Sequence, residues 1–179
     1  TARAGYGGFV WTGARAIASL SPELFFALRG HEVMARPMKG TVERLIDPDA
    51  DAAAARELAT DPKQRAENLM IVDLIRNDLS RVAVPGSVAV PELFRVESFP
   101  TIHQLVSDVS AGLPPGAGAV DVLRAAFPCG SITGAPKIRA MEIIDELERD
   151  ARGLYTGSSG FIEPGGDAAF NVAIRTLVF

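Results

Sequence analysis

Cysteine is almost missing from this chain: Cys129 stands alone among 179 residues. An internal disulfide is therefore excluded, and a reducing compartment, the cytoplasm, is the expected home. Aromatic residues make up only 7%, and no block of Lys or Arg interleaves with them. Together with a net charge of −4 and a pI of about 5.2, this removes the usual footprint of a nucleic-acid partner. No apolar run approaches the roughly 18 residues of a membrane span, and no charged-then-apolar leader opens the chain. No membrane association is expected. What is present is ordinary for a globular domain: 47% hydrophobic and 22% charged residues, enough to bury one substantial core and too apolar for disorder.

The chain opens at Thr1 without methionine and stops inside an alternating apolar run, Val172 to Phe179. Natural termini tend to be polar and frayed, so these residues are expected to belong to a longer polypeptide. Punctuation by Gly and Pro predicts short strands at Tyr6–Thr12, Ala16–Leu20, Leu24–Leu28 and Glu32–Arg36, joined as a meander. From Pro48 to about Leu79 the period becomes helical, with Leu69, Val72, Ile75 and Leu79 on one stripe and Asp61-Pro62 dividing two helices. Strands are expected again at Ser87–Val90, Leu93–Glu97 and Ile102–Ala111, then a helix at Val120–Ala126. An amphipathic helix follows at Pro136–Glu148, its stripe formed by Ala140, Met141, Ile144 and Leu147. A hairpin, Leu154–Ile162 with Ala168–Phe179, closes the chain around Glu163-Pro164-Gly165-Gly166-Asp167. Strand runs separated by helical runs predict a single α+β domain, a sandwich of mainly antiparallel sheets with flanking helices.

Several groups carry chemistry. Lys39 sits in the turn-forming pentapeptide Pro37-Met38-Lys39-Gly40-Thr41, downstream of Ser21-Pro22-Glu23. With few local partners for its charge, a buried Lys39 would have a lowered pKa and act as a neutral amine nucleophile, with Glu23 as the acid; the alternative is a solvated lysine at a strand end. The turn Cys129-Gly130-Ser131-Ile132-Thr133-Gly134-Ala135-Pro136-Lys137 opens a helix, with Pro136 at its first position. Its free N–H groups and positive dipole end suit an anion. It is not a nucleotide-binding loop, because that motif needs four residues between the glycines and Lys directly after the second. On the last strand, period two puts Asn171, Ala173 and Arg175 on one face, which makes Arg175 a bidentate clamp for a carboxylate or else an edge-strand ion pair. Tyr155 opens the partner strand and offers a hydroxyl. His103 alternates with Leu105, Ser107 and Val109 on a half-buried face, as a core histidine or a catalyst. Glu67, on the long helix, is a hard-cation ligand only if other carboxylates join it.

Ser21-Pro22-Glu23, Pro37 to Thr41, Glu67 to Asp78, Pro128 to Lys137 and Asn171 to Thr176 follow one another in an order and spacing that closely resemble the chorismate-utilising enzymes, from about Ala16 to the end. Within that family Lys39 resembles the branch that aminates chorismate at C4, in which this lysine is a covalent nucleophile. The branch that forms anthranilate carries alanine there, and Ser131 also resembles the C4-aminating branch better.

The resemblance implies that Glu23 is the general acid for the leaving 4-hydroxyl. Lys39 would attack C2, and ammonia would then enter at C4 to give 4-amino-4-deoxychorismate for para-aminobenzoate and folate synthesis. It implies that Tyr155, Arg175, Thr41 and the Ser131 to Gly134 turn hold substrate, that His103 lies near the ring, and that Glu67 is one ligand of Mg²⁺. A glutamine amidotransferase partner supplying ammonia is implied as well. The family's remaining acidic metal ligands lie beyond its arginine strand, so these 179 residues alone are expected to be inactive and to bind Mg²⁺ poorly. The competing readings are an anthranilate-forming enzyme and a non-catalytic chorismate-binding subunit.

Overall fold

The computed structural model describes residues 5–179. In chain order the strands are β1 (Gly8–Trp11), β2 (Ala16–Ser19), β3 (Leu24–Arg29), β4 (Glu32–Arg36), β5 (Met38–Glu43), β6 (Ala89–Ser98), β7 (Ile102–Gly112), β8 (Ser158–Ile162), β9 (Ala168–Val172) and β10 (Thr176–Val178). The helices are α1 (Pro48–Thr60), α2 (Pro62–Ser80), α3 (Ala119–Ala126), α4 (Gly130–Thr133) and α5 (Lys137–Leu147).

Seven strands form one antiparallel sheet in the order β5-β7-β4-β3-β9-β8, with β6 also paired to β7. The long strand β7 organises it. Its residues 109–112 pair with β4 and its residues 102–106 with β5, while β6 runs along its other edge. β6 joins what the sequence suggests as two strands: Pro91 lacks a ladder N–H and is accommodated because this is an edge strand broken by bulges. α1 and α2 cover one face. Asp61 ends α1 and caps α2, its carboxylate accepting from the Gln64 N–H at 2.8 Å with Pro62 at the first helical position. The expected split at Asp61-Pro62 is therefore present. The buried stripe of α2 is Asn68, Ile71, Val72, Ile75 and Leu79, and Leu69 faces outward at 42% exposure. Phe25, Phe26, Leu28, Val33, Val109, Ile71, Val122 and Val172 form the core between this layer and the sheet. Full burial of each such side chain contributes about 1.5–3 kcal/mol.

The expected meander is broken between β2 and β3, while β1 pairs with β2 and β3 with β4 as expected. β1 and β2 lie in a separate three-stranded sheet, in which β2 pairs with β1 on one side and β10 on the other. The chain crosses between sheets twice, at residues 20–23 and at 173–175, and the two crossings run side by side. Leu20 N–H donates to the Arg175 carbonyl at 3.0 Å, and Val172 N–H to the Glu23 carbonyl at 3.1 Å. The last strand is accordingly not continuous. Arg175 adopts a left-handed backbone with φ 49°, so the alternation that would place Asn171, Ala173 and Arg175 on one face ends at the crossing. Two further expectations change. Pro136 caps α5 from outside rather than beginning it, and no residue of α5 is buried, with Ile138 and Leu147 about three-quarters exposed. The α+β class with antiparallel sheets and flanking helices is the one expected.

Candidate active site

The first sheet crossing aims an acid inward. Ser21, fully buried, folds back so that its hydroxyl accepts from the Glu23 N–H at 3.2 Å. Pro22 restricts the backbone between them. Glu23 then enters β3 with only 7% exposure. Burial raises its pKa above the ordinary 4.5, and this outweighs the Ser131 hydroxyl and the Lys39 charge, both of which favour the carboxylate. A carboxyl that keeps its proton towards neutrality suits a general acid.

Lys39 is not in a turn. It lies on β5, a strand absent from the sequence reading, at a bulge between Met38 and Thr41. Gly40 makes the bulge possible: its φ is +94°, and a Cβ there would sit 3.2 Å from Leu105 Cβ and 3.1 Å from Gln64 Oε1. The bulge directs the half-buried Lys39 toward α4, where Nζ donates to the Ser131 carbonyl at 3.1 Å. Ser131 thus receives the amine at its carbonyl, and its hydroxyl is near enough to Glu23 to favour the carboxylate. Its hydroxyl also lies 3.2 Å from the Cys129 thiol. Burial first, and then the Glu23 charge, push that thiol up to about 11, so it stays protonated and is no nucleophile. Gly130 lets α4 press on α2, since a Cβ there would meet Leu74 Cδ2 at 2.6 Å. Gly134 ends the turn with φ 88°.

Arg175, on the second crossing, is exposed and has no carboxylate partner among the described residues. It lines a groove of about 70 Å³ with Pro22, Met38 and Gln104, so it stands beside the residues that precede Glu23 and Lys39. An acid and an amine lie close to one another in one corner, and a free guanidinium lines the groove beside the residues that precede them. That set can protonate a leaving oxygen, form a covalent carbon–nitrogen bond and hold an anion.

The description "chorismate binding enzyme" matches the chain over residues 1–179. The chain belongs to the chorismate binding enzymes. It is 57% identical to aminodeoxychorismate synthase component 1 of Klebsiella aerogenes over 98% of its length and 39% of that protein's. It is 49% identical to anthranilate synthase component 1 of Streptomyces coelicolor, over 93% of this chain and 32% of the relative. The crystal structure of anthranilate synthase component I from Streptococcus pneumoniae superposes with a TM-score of 0.87 at 37% identity, covering 98% of this chain and 38% of that one. The chain therefore spans about a third to two-fifths of the length of these relatives.

The other candidates from the chorismate binding pattern lie apart from the corner. His103 is buried, and both of its ring nitrogens are engaged, by the Ser98 hydroxyl at 2.8 Å and by Asp51 at 3.0 Å. Arg44 holds that carboxylate with its Nε at 2.8 Å. The Arg44 hydrogen bonds keep Asp51 well below the usual carboxylate range. In this arrangement His103 ties α1 to the β6–β7 edge and keeps no ring nitrogen for substrate. Tyr155 stands in the turn before β8 rather than on the strand, 61% exposed, and lines a surface groove with Phe127, Met141 and Ile144 instead of sharing the Arg175 groove. Thr41 is exposed opposite Gln104 on β7. Glu67 is exposed on α2, and no three His, Cys, Asp or Glu side chains among the described residues form a metal-sized cluster. These residues do not make a Mg²⁺ site, and no step is assigned to a metal. No helix among the described residues is long and apolar enough to cross a membrane.

Sequence reasoning missed two partners, Asp51 for His103 and Asp78 for Lys137. Each sits on a helix with nothing local to mark it, and only packing of that helix against a distant element identifies its role.

Proposed function

We propose that the full-length chain converts chorismate and ammonia to 4-amino-4-deoxychorismate through a covalent adduct on Lys39. The observation that carries this reading is that Lys39 Nζ, held by the Ser131 carbonyl at 3.1 Å, lies near a Glu23 carboxyl that is 7% exposed and has its pKa raised by burial. In the first half-reaction the Lys39 amine forms a bond to C2 and gives up a proton, both conjugated ring double bonds shift by one position, and the 4-hydroxyl leaves as water with the proton from Glu23. In the second, ammonia bonds to C4 and gives up a proton, both double bonds shift back, and the C2–nitrogen bond breaks to release Lys39, whose nitrogen takes up a proton. Chorismate and ammonia become aminodeoxychorismate and water, and the lysine is regenerated. Arg175 holds a substrate carboxylate beside the corner. A separate or fused glutamine amidotransferase supplies ammonia, and the cytoplasm is the setting. Mg²⁺ belongs to this reading only with ligands additional to Glu67.

Intact-protein mass spectrometry of the full-length chain with chorismate and Mg²⁺ but no ammonia, followed by peptide mapping, tests the proposal. A chorismate-derived adduct on Lys39 supports it. The likeness to anthranilate synthases supports a second reading in which ammonia attacks C2 directly; turnover without an adduct would favour that one.

A further inference from the structure

Lys137 stands two places late for a nucleotide-binding loop, yet it is among the more deeply seated cations of the molecule. Its side chain is 11% exposed and meets Asp78, itself 5% exposed. Its Nζ also donates to the Ala126 carbonyl at 2.7 Å. Asp78 lies in the last turn of α2, Ala126 is the last residue of α3 and Lys137 the first of α5. Between Ala126 and Lys137 runs the segment 127–136, with Ser131 near its middle. One ammonium therefore pins both ends of the loop that presents Ser131 to Glu23 and Lys39. Arg81 reinforces the same base, donating to the Ala125 carbonyl and lying 4.0 Å from Asp78. Burial raises the Asp78 pKa, and Lys137 opposes that rise, as a paired buried charge requires.

We propose that Lys137 is a positioning residue: by clamping Ala126 to Asp78 it sets the height of Ser131 and so the relative placement of the acid and the nucleophilic amine. The inference rests on the aminodeoxychorismate reading for its kinetic arm alone. Near the loop tip, Glu23 faces Lys39 from β5 and the protonated Cys129 thiol from the loop itself. Displacing Ser131 takes away a hydroxyl whose nearness favours the Glu23 carboxylate, which moves the acid's titration upward.

The test compares Lys137→Met, the double variant Lys137→Met/Asp78→Asn, Ser131→Ala and Arg139→Gln in the full-length chain. Displacement of Ser131 by about an ångström is expected to lower kcat about 100-fold with KM for chorismate unchanged. The alkaline limb of kcat should move to higher pH in the same direction as in Ser131→Ala. Arg139, which pairs with Glu142 in solvent, should be neutral. Trace labelling of amines with acetic anhydride, read at Lys39 against the exposed Lys63 and performed without chorismate, should change in both Lys137 variants. If Lys137→Met does not fold, the double variant, with no unpaired charge left inside, decides. A folded double variant with parental kcat, parental pH limb and parental Lys39 labelling would overturn the proposal. A full-length chain that makes no aminodeoxychorismate, yet whose Lys39 labelling responds to Lys137, would instead refute the functional reading and leave the clamp standing.

Discussion

Glu23→Gln separates the cost of the buried acid from its use. In the folded protein burial raises the Glu23 pKa above 4.5, so the folded state binds its proton more tightly than the unfolded chain does. Below pH 4.5 the group is protonated in both states and has no effect. As pH rises above that, the unfolded chain ionises first, and stability falls until the folded pKa is reached, after which the penalty is constant. The glutamine variant lacks this ionisation while keeping nearly the same size and shape. The difference in unfolding free energy, variant minus parent, should therefore be near zero at pH 4 and grow with pH at up to about 1.4 kcal/mol per unit before levelling. Asp78, also raised by burial, is common to both proteins and cancels. Urea titrations at half-unit steps from pH 4 to 9 measure the difference, and chorismate turnover in the same samples should fall by about 10²–10⁴-fold. A difference that is flat in pH, or that favours the parent as pH rises, would refute the account of Glu23 as a desolvated acid.

Other consequences are simpler to state. Lys39→Ala should abolish the mass adduct and divert product toward anthranilate, since ammonia then reaches C2 directly; product fluorescence reports it, and unchanged aminodeoxychorismate formation would remove Lys39 from the mechanism. Gly40→Ala should destabilise the protein by about 1–3 kcal/mol, because an alanine must adopt φ +94° with its Cβ 3.2 Å from Leu105 Cβ; a denaturant midpoint equal to the parent's would contradict the bulge. Arg175→Lys should raise KM for chorismate by about tenfold or more through loss of the bidentate clamp, with little change in melting temperature, given that Arg175 has no carboxylate partner among the described residues.

Local rules carry much of the organisation. Asp61-Pro62 marks a helix boundary because capping and proline chemistry act within a few residues. The hairpin around Glu163 to Asp167 is legible for the same reason, and it pairs Ile162 with Ala168 as its turn requires. Periodicity alone places Leu69 on the α2 stripe, one position off, because it cannot distinguish that leucine from the buried amide Asn68, which bonds to the Leu105 carbonyl and the Ser107 hydroxyl. Pro37 and Gly40 are turn-formers in isolation, so the residues of β5 read as a turn. In the fold Gly40 makes a bulge, and the neighbouring strand β7 supplies the ladder that holds it extended.

The sequence by itself determined the chemistry available: an acid after Ser-Pro, a lysine before Gly-Thr, a glycine-framed serine and an arginine near the end, in an order shared with the chorismate binding enzymes. Residue identity and short-range backbone preference are properties of the chain, so these could be read directly. Only the tertiary structure decided which of those groups meet. The two adjacent sheet crossings bring residue 23 beside residue 172 and residue 20 beside residue 175, and the clamped loop sets Ser131 against Lys39, whereas packing of α1 takes His103 away to Asp51. Such meetings depend on which distant strands share a ladder and which helix covers them, and long-range pairing of this kind leaves no periodic trace in the residues it joins.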